Sequence, residues 1–339
     1  MKFNKIALLV GLTSASLIPG IASADTLEQV VKKDVLTCGV STGITGFSAT
    51  DSEGNWKGLD VTFCQSVAAA VLGDASKVKY IPLTAKERFT ALQSGEIDLL
   101  SRTTTWTETR DTSLGLNFAG VNYYDGQGFL VSKKLGVSSA KELDGATFCI
   151  QAGTTTEMNL TDYFKANSME YKAVTYDTSA QTIDGFKKGR CDAVTSDASQ
   201  LYSLKLKMDD PSSVLVLPEV ISKEPLGPVV RQGDDRWFNV VRWSLFATLE
   251  AEELGVTKAN AKAQLKSANP SVQRLLGVTG KMGENLGLKA KWAYNIVSQV
   301  GNYGEIFDYT VGKGSPLKID RGLNKLWNDG GLMYSMPIR

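Results

Sequence analysis

Residues 101–110 read SRTTTWTETR, with six hydroxyl side chains and two arginines directly behind the short apolar run EIDLL. Donors of this kind recognise a carboxylate, which takes a bidentate arginine and surrounding hydroxyl and amide groups. Arg110, Thr103 and Thr105 supply that chemistry from this stretch. Thr155 adds to it from AGTTTE (152–157), a strand-to-helix turn whose free N–H groups and helix dipole also favour an anion. Asp197 ends CDAVTSD (191–197) and offers a carboxylate to an ammonium. Together these residues describe a clamp for a small zwitterion, an α-amino acid. Singly, each has a plainer role. Asp197 can cap the helix that follows it. Arg110 can pair with Glu108 or Asp111 on the surface, the threonines can form a local turn, and Trp106 can simply pack. The expectation therefore rests on the constellation.

The clamp needs elements to carry it. VLTCGV (35–40), VKYIPL (78–83) and IDLLS (97–101) read as buried strands, with helical spacing between them. This β-α-β-α-β order predicts a parallel sheet. It recurs in residues 146–197, and LQSGEIDLLSR (92–102) aligns without gaps on FKKGRCDAVTS (186–196). Gly95 matches Gly189 as a helix stop, and Asp98 matches Asp192 as a strand opener. Two like-built α/β lobes follow, each a mainly parallel sheet flanked by helices. Ligands bind beyond the carboxyl ends of such strands. At the repeat's offset Thr103 corresponds to Asp197, so both look into a cleft if the lobes face each other. Arg88 opens the helix RFTALQSG just after YIPL, on the same rim as Thr103. The extended segments 118–134 and 217–234 read as two crossings that make a hinge. The expected division is 25–123 for the first lobe, 124–221 for the second, and 222–339 for a return to the first lobe plus a helical extension.

Other features narrow the chemistry. Histidine is absent, which excludes Ser-His-Asp and Cys-His catalysis and any His-ligated metal. No cofactor, metal or catalytic residue is expected. Residues 1–24 carry Lys2 and Lys5, an apolar stretch and Ala22-Ser23-Ala24, a secretory leader cleaved after Ala24. Cleavage takes two lysines from 37 basic residues set against 36 acids, leaving a charge of −1. Nothing in that balance calls for nucleic acid as a partner. Four cysteines (Cys38, Cys64, Cys149, Cys191) in an exported chain read as disulfides, with three pairings open.

At these residues the sequence resembles the periplasmic solute-binding proteins of polar and general L-amino-acid ABC transporters, the family-3 extracellular solute-binding proteins. GLDVTFCQSVAAAV (58–71) follows the family's signature around the first helix and departs from it at Thr62, where an acid is usual. WTETR (106–110), QAGTTTE (151–157) and GRCDAVTSD (189–197) resemble the segments that supply the ligand-binding arginine, hydroxyl and aspartate. The resemblance implies a type II periplasmic-binding-protein fold that closes about its hinge on a free L-amino acid. It implies delivery to an inner-membrane permease and residence in the periplasm. In its acidic-amino-acid binders an arginine placed like Arg88 meets the ligand's side-chain carboxylate. Disulfides are then expected within lobes, as Cys38–Cys64 and Cys149–Cys191, because a bridge between lobes would oppose opening. The alternative is an exported cyclohexadienyl-dehydratase-like enzyme on the same fold, for which Glu157 is the nearest candidate acid.

Overall fold

The computed structural model describes residues 25–339; the expected leader and its cleavage point after Ala24 lie outside the described residues. Two sheets carry the architecture. The first has the order Val78–Leu83, Leu36–Ser41, Leu99–Leu100, Val229–Arg231, Leu116–Phe118. Its first three strands run parallel, Val229–Arg231 runs against them, and Leu116–Phe118 in turn runs against Val229–Arg231. The second has the order Val214–Val216, Tyr123–Ser132, Ala193–Asp197, Thr147–Gln151, Lys172–Tyr176, with Lys223–Leu226 paired to the start of its long strand. Here too the last three are parallel, while Tyr123–Ser132 runs against its neighbours.

The sheets are thus mixed, where sequence spacing predicts mainly parallel ones. The parallel trios are the two β-α-β-α-β units. The added strands are those the chain lays down as it leaves or re-enters a sheet. Of these, Tyr123–Ser132 and Val229–Arg231 enter their sheets without an intervening helix and run against the parallel trios, whereas Leu116–Phe118 and Val214–Val216 follow the helices Glu108–Ser113 and Ala198–Leu206 and run with them. The repeat itself is structural. Asp98 accepts from Thr37 N at 2.9 Å and Asp192 from Thr147 N at 2.8 Å. Each aspartate also donates its own N–H to that threonine's carbonyl. Gly95 and Gly189 both take left-handed conformations just beyond their helices.

Two crossing strands lie side by side between the sheets. Asn122 N donates to Leu226 O and Ala119 N to Pro228 O, both at 2.9 Å. A Cβ on Gly227 would stand 2.0 Å from the carbonyl of Gly120, so only glycine lets the strands approach this closely. The long helix Asp235–Glu253 covers the first sheet, burying Trp237 and directing its indole N–H to Asp98 O at 2.9 Å. The C-terminal extension packs into the same core through Trp292, Ile296 and Phe307. It is also fastened to the first crossing strand. Tyr303 Oη donates to Asn122 O at 2.9 Å, and Asn324 brackets the backbone of Tyr124. Both cysteine pairs are bonded within their own units, Cys38 to Cys64 and Cys149 to Cys191.

Candidate functional site

The hydroxyl-rich stretch is folded around one buried acid. Asp60, from the GLD segment, accepts from Thr103 N at 2.9 Å and Ser101 Oγ at 3.1 Å. That hold keeps Thr103 at φ 37, a conformation a β-branched residue rarely adopts without such support. Several of the donors prove structural. Thr104 Oγ1 donates to Arg102 O, and Thr107 Oγ1 caps the helix Glu108–Ser113 by accepting from Arg110 N. The cap aims Arg110 inward. Its Nη1 donates to Thr105 O at 2.9 Å, its guanidinium lies 5.3 Å from the Phe89 ring, and the residue is 8% exposed. It does not pair with Glu108 or Asp111 on the surface. Trp106 stacks on Phe118, with centroids 5.4 Å apart.

Arg88 starts its helix as the sequence predicts and is 2% exposed. It leans over Phe89 at 4.7 Å and reaches across to the second unit, donating to Gly153 O at 3.3 Å. Its Nε and Nη2 of Arg102 are buried without a hydrogen-bond partner among the described residues. From the other side, Thr155 opens the helix Thr155–Ala166. Asp197 ends its strand, 9% exposed, and its side chain does not cap the next helix. Asp125 takes that duty, accepting from Ser199 Oγ and Ser199 N.

Arg88, Thr103, Thr105, Thr155 and Asp197 line one cavity of about 20 Å³ between the two sheets, with Arg102, Gln151 and Gln200 beside them. That is room for about one water and far below a ligand-sized pocket, so an amino acid enters only if the two sheets part. Arg110 stands behind Thr105 and is not part of the wall. Glu157 is turned away, accepting from Gly153 N at 3.0 Å at its helix start.

Two acids at the site carry no sequence motif. One is Asp125. The other is Glu224, on the second crossing strand and 1% exposed. Its Oε2 accepts from Thr105 Oγ1 at 2.6 Å and Thr155 Oγ1 at 3.0 Å. Its Oε1 accepts from Asn159 Nδ2 at 2.6 Å and Ser222 Oγ at 2.7 Å.

The charges are strongly coupled. Burial pulls the Arg88 guanidinium well below its usual range, and Arg102 and Arg110 push the same way, against Asp197 and Glu224. Burial lowers Arg102 to about 10, with Asp60 its main opposing acid. Burial lowers Arg110 as well, opposed first by Glu224 and then by Asp197. Asp197 is raised well above the carboxylate range by burial, with Asp125 and Glu224 adding to it. Burial lifts Asp125 to about 6. The site therefore gathers donors and acceptors that would each gain from an oppositely charged guest.

A two-lobed α/β fold with a polar, doubly charged cleft defines an extracellular solute-binding protein. The chain belongs to the bacterial extracellular solute-binding proteins, family 3, matched over residues 36–330. It is 54% identical to the general L-amino acid-binding periplasmic protein AapJ of Rhizobium johnstonii, over the full length of both chains. It is 52% identical to the glutamate/glutamine/aspartate/asparagine-binding protein BztA of Rhodobacter capsulatus, covering 99% of this chain and 100% of that one. A periplasmic binding protein from Brucella ovis, solved with glutathione bound, superposes with a TM-score of 0.92 at 55% identity. The match covers 94% of this chain and 100% of that one.

Proposed function

We propose that this protein binds free L-amino acids in the periplasm and delivers them to an inner-membrane ABC permease, closing about its crossing strands as it does so. The observation that carries the reading is the convergence of buried arginines and a buried aspartate on one cleft between two sheets. A group of either sign alone would call for a simple ion. Both signs, a few side chains apart, suit a zwitterion. In this reading Thr103, Thr105 and Thr155 hold the ligand's α-carboxylate, Arg110 joins them by leaving its place behind Thr105, Asp197 meets the ammonium, and Arg88 faces the side chain. A hydroxyl has one proton to give. Thr105 and Thr155 therefore serve the carboxylate only by leaving Glu224, and otherwise act as acceptors. Residues 25–123 and 222–339 make one lobe in this reading and residues 124–221 the other. The names of AapJ and BztA support amino acids as the ligand class, with acidic ones included.

The test is calorimetry and thermal shift on protein stripped of ligand by partial unfolding and refolding. Binding of glutamate, glutamine or leucine with a raised melting temperature is expected. Absence of any shift across the common amino acids would refute the reading.

A further inference from the structure

Glu224 is more completely engaged than any other acid at the site. It accepts four hydrogen bonds, two on each oxygen, from both sheets' rims and from its own strand. Only a carboxylate can accept all four; a glutamine would turn an amino group toward two donors. So the side chain is fixed and its charge is fixed with it.

That charge has a definite audience. Arg102 answers chiefly to Asp60. Asp125 is turned to Ser199 and Gly126. Geometry ties Glu224 to the arginines: Thr105 donates its hydroxyl to Glu224 while its carbonyl accepts from Arg110 Nη1, and Arg88 and Asp197 line the cavity that Thr105 and Thr155 share. A neutral amino acid enters such a site with no change in its balance. A ligand with an extra carboxylate gains from Arg88 and loses against Glu224.

We propose that Glu224 is a specificity-determining residue of this site: its fixed negative charge balances Arg88 and Arg110, so that the cleft takes zwitterionic amino acids in general instead of selecting the acidic ones. This inference rests on the amino-acid reading above. It explains why a site with three buried arginines also buries an acid that caps no helix. It also gives the second crossing strand a role in recognition as well as in bending.

The experiment compares glutamate with glutamine, which have nearly the same shape and differ in side-chain charge. Dissociation constants for both are measured by calorimetry on wild type, Glu224→Gln and Glu224→Asp. In Glu224→Gln the ratio of the glutamine to the glutamate constant should rise about tenfold or more. That is the scale of one unit charge acting across a few ångströms in a partly buried site. Glu224→Asp keeps the charge, so its ratio should stay near the wild-type value even where both affinities fall. Loss of packing or of closure lowers both affinities together and leaves the ratio alone, which separates a structural role from this one. Glu224→Ala carries the same expectation where the glutamine variant does not fold. A ratio within twofold of wild type in the uncharged variants overturns the inference, as does an equal rise in Glu224→Asp. Wild type that binds neither amino acid overturns the amino-acid reading, and this inference with it. Wild type that binds both while the ratio stands still overturns this inference alone.

Discussion

Asp197→Asn keeps the shape of a side chain at the heart of the cleft and removes its charge. Two effects of opposite sign follow. With a ligand bound, the ammonium loses its buried counter-charge. Breaking such a pair by removing one partner costs about 3–5 kcal/mol, or roughly a hundredfold to several thousandfold in affinity. Without ligand the balance reverses. Asp197 is buried close to Asp125 and Glu224, and its carboxylate form is disfavoured by burial and by both neighbours. Asparagine relieves that repulsion, so the unliganded variant should be more stable than wild type.

The pH dependence fixes the sign. An unfolded aspartate titrates near 3.9. In the folded protein Asp125 is lifted from 3.8 to about 6, and Asp197 is raised as well. Groups raised on folding contribute stability below their unfolded values and lose it as pH rises through the folded ones. The lift of Asp125 comes chiefly from its own burial and persists in the variant, so the relief comes from losing the raised carboxyl of Asp197 itself. A relief of roughly 1–2 kcal/mol, about one unit of pKa, raises the melting temperature by a few degrees. The advantage of Asp197→Asn should be negligible near pH 4 and largest at pH 8. Glutamate calorimetry at pH 7 and scanning calorimetry at pH 4, 6 and 8 read both effects. Affinity within threefold of wild type, or a stability change that is negative or flat with pH, would refute the reasoning.

Arg88→Ala should weaken glutamate by about 1.5–3 kcal/mol, the worth of a hydrogen bond to a charged group, while leucine barely changes; equal losses in calorimetry would place Arg88 in the fold or the common clamp. Replacing Cys38 and Cys64 by serine opens a bridge spanning 26 positions, which should cost about 3.5 kcal/mol in urea unfolding by loop entropy. A cost below about 1 kcal/mol would show that the unfolded chain is little constrained by it. Amino-acid binding should lower the radius of gyration in small-angle scattering, because ligand contacts from both sides favour the closed state. An unchanged radius in verified ligand-free protein argues for a rigid site.

The parts of the site that were legible in the sequence share one property: their neighbours along the chain announce them. Arg88 opens a helix, Thr155 opens another, and Asp197 ends a strand. Each sits at a turn where periodicity changes, and the repeat of GEIDLL against GRCDAV puts the two rims in register. Asp60 was visible as part of GLD, but its task was not. It gathers the Ser101 hydroxyl and the Thr103 backbone N–H from 41 and 43 positions away, and with the Thr104 and Thr107 hydroxyls also bound to backbone, three of the stretch's six hydroxyls shape the loop. Hydroxyl counts report a demand for hydrogen bonds without saying whether a ligand or a neighbouring strand makes it.

Asp125 and Glu224 were hidden for a stronger reason. Both lie in extended segments between the sheets, in YYDGQG and SKEPLG, where a lone acid in a strand ordinarily points to solvent. Their burial comes only from pairing the two crossings, which sets Glu224 opposite Asp125 in register. One then caps the helix after Asp197, and the other gathers the hydroxyls of Thr105 and Thr155. The crossing strands therefore also carry two acids that stand beside the cleft. If the crossings bend as proposed, a change of hinge angle moves those carboxylates relative to the arginines on the rims, and closure and charge recognition become the same motion.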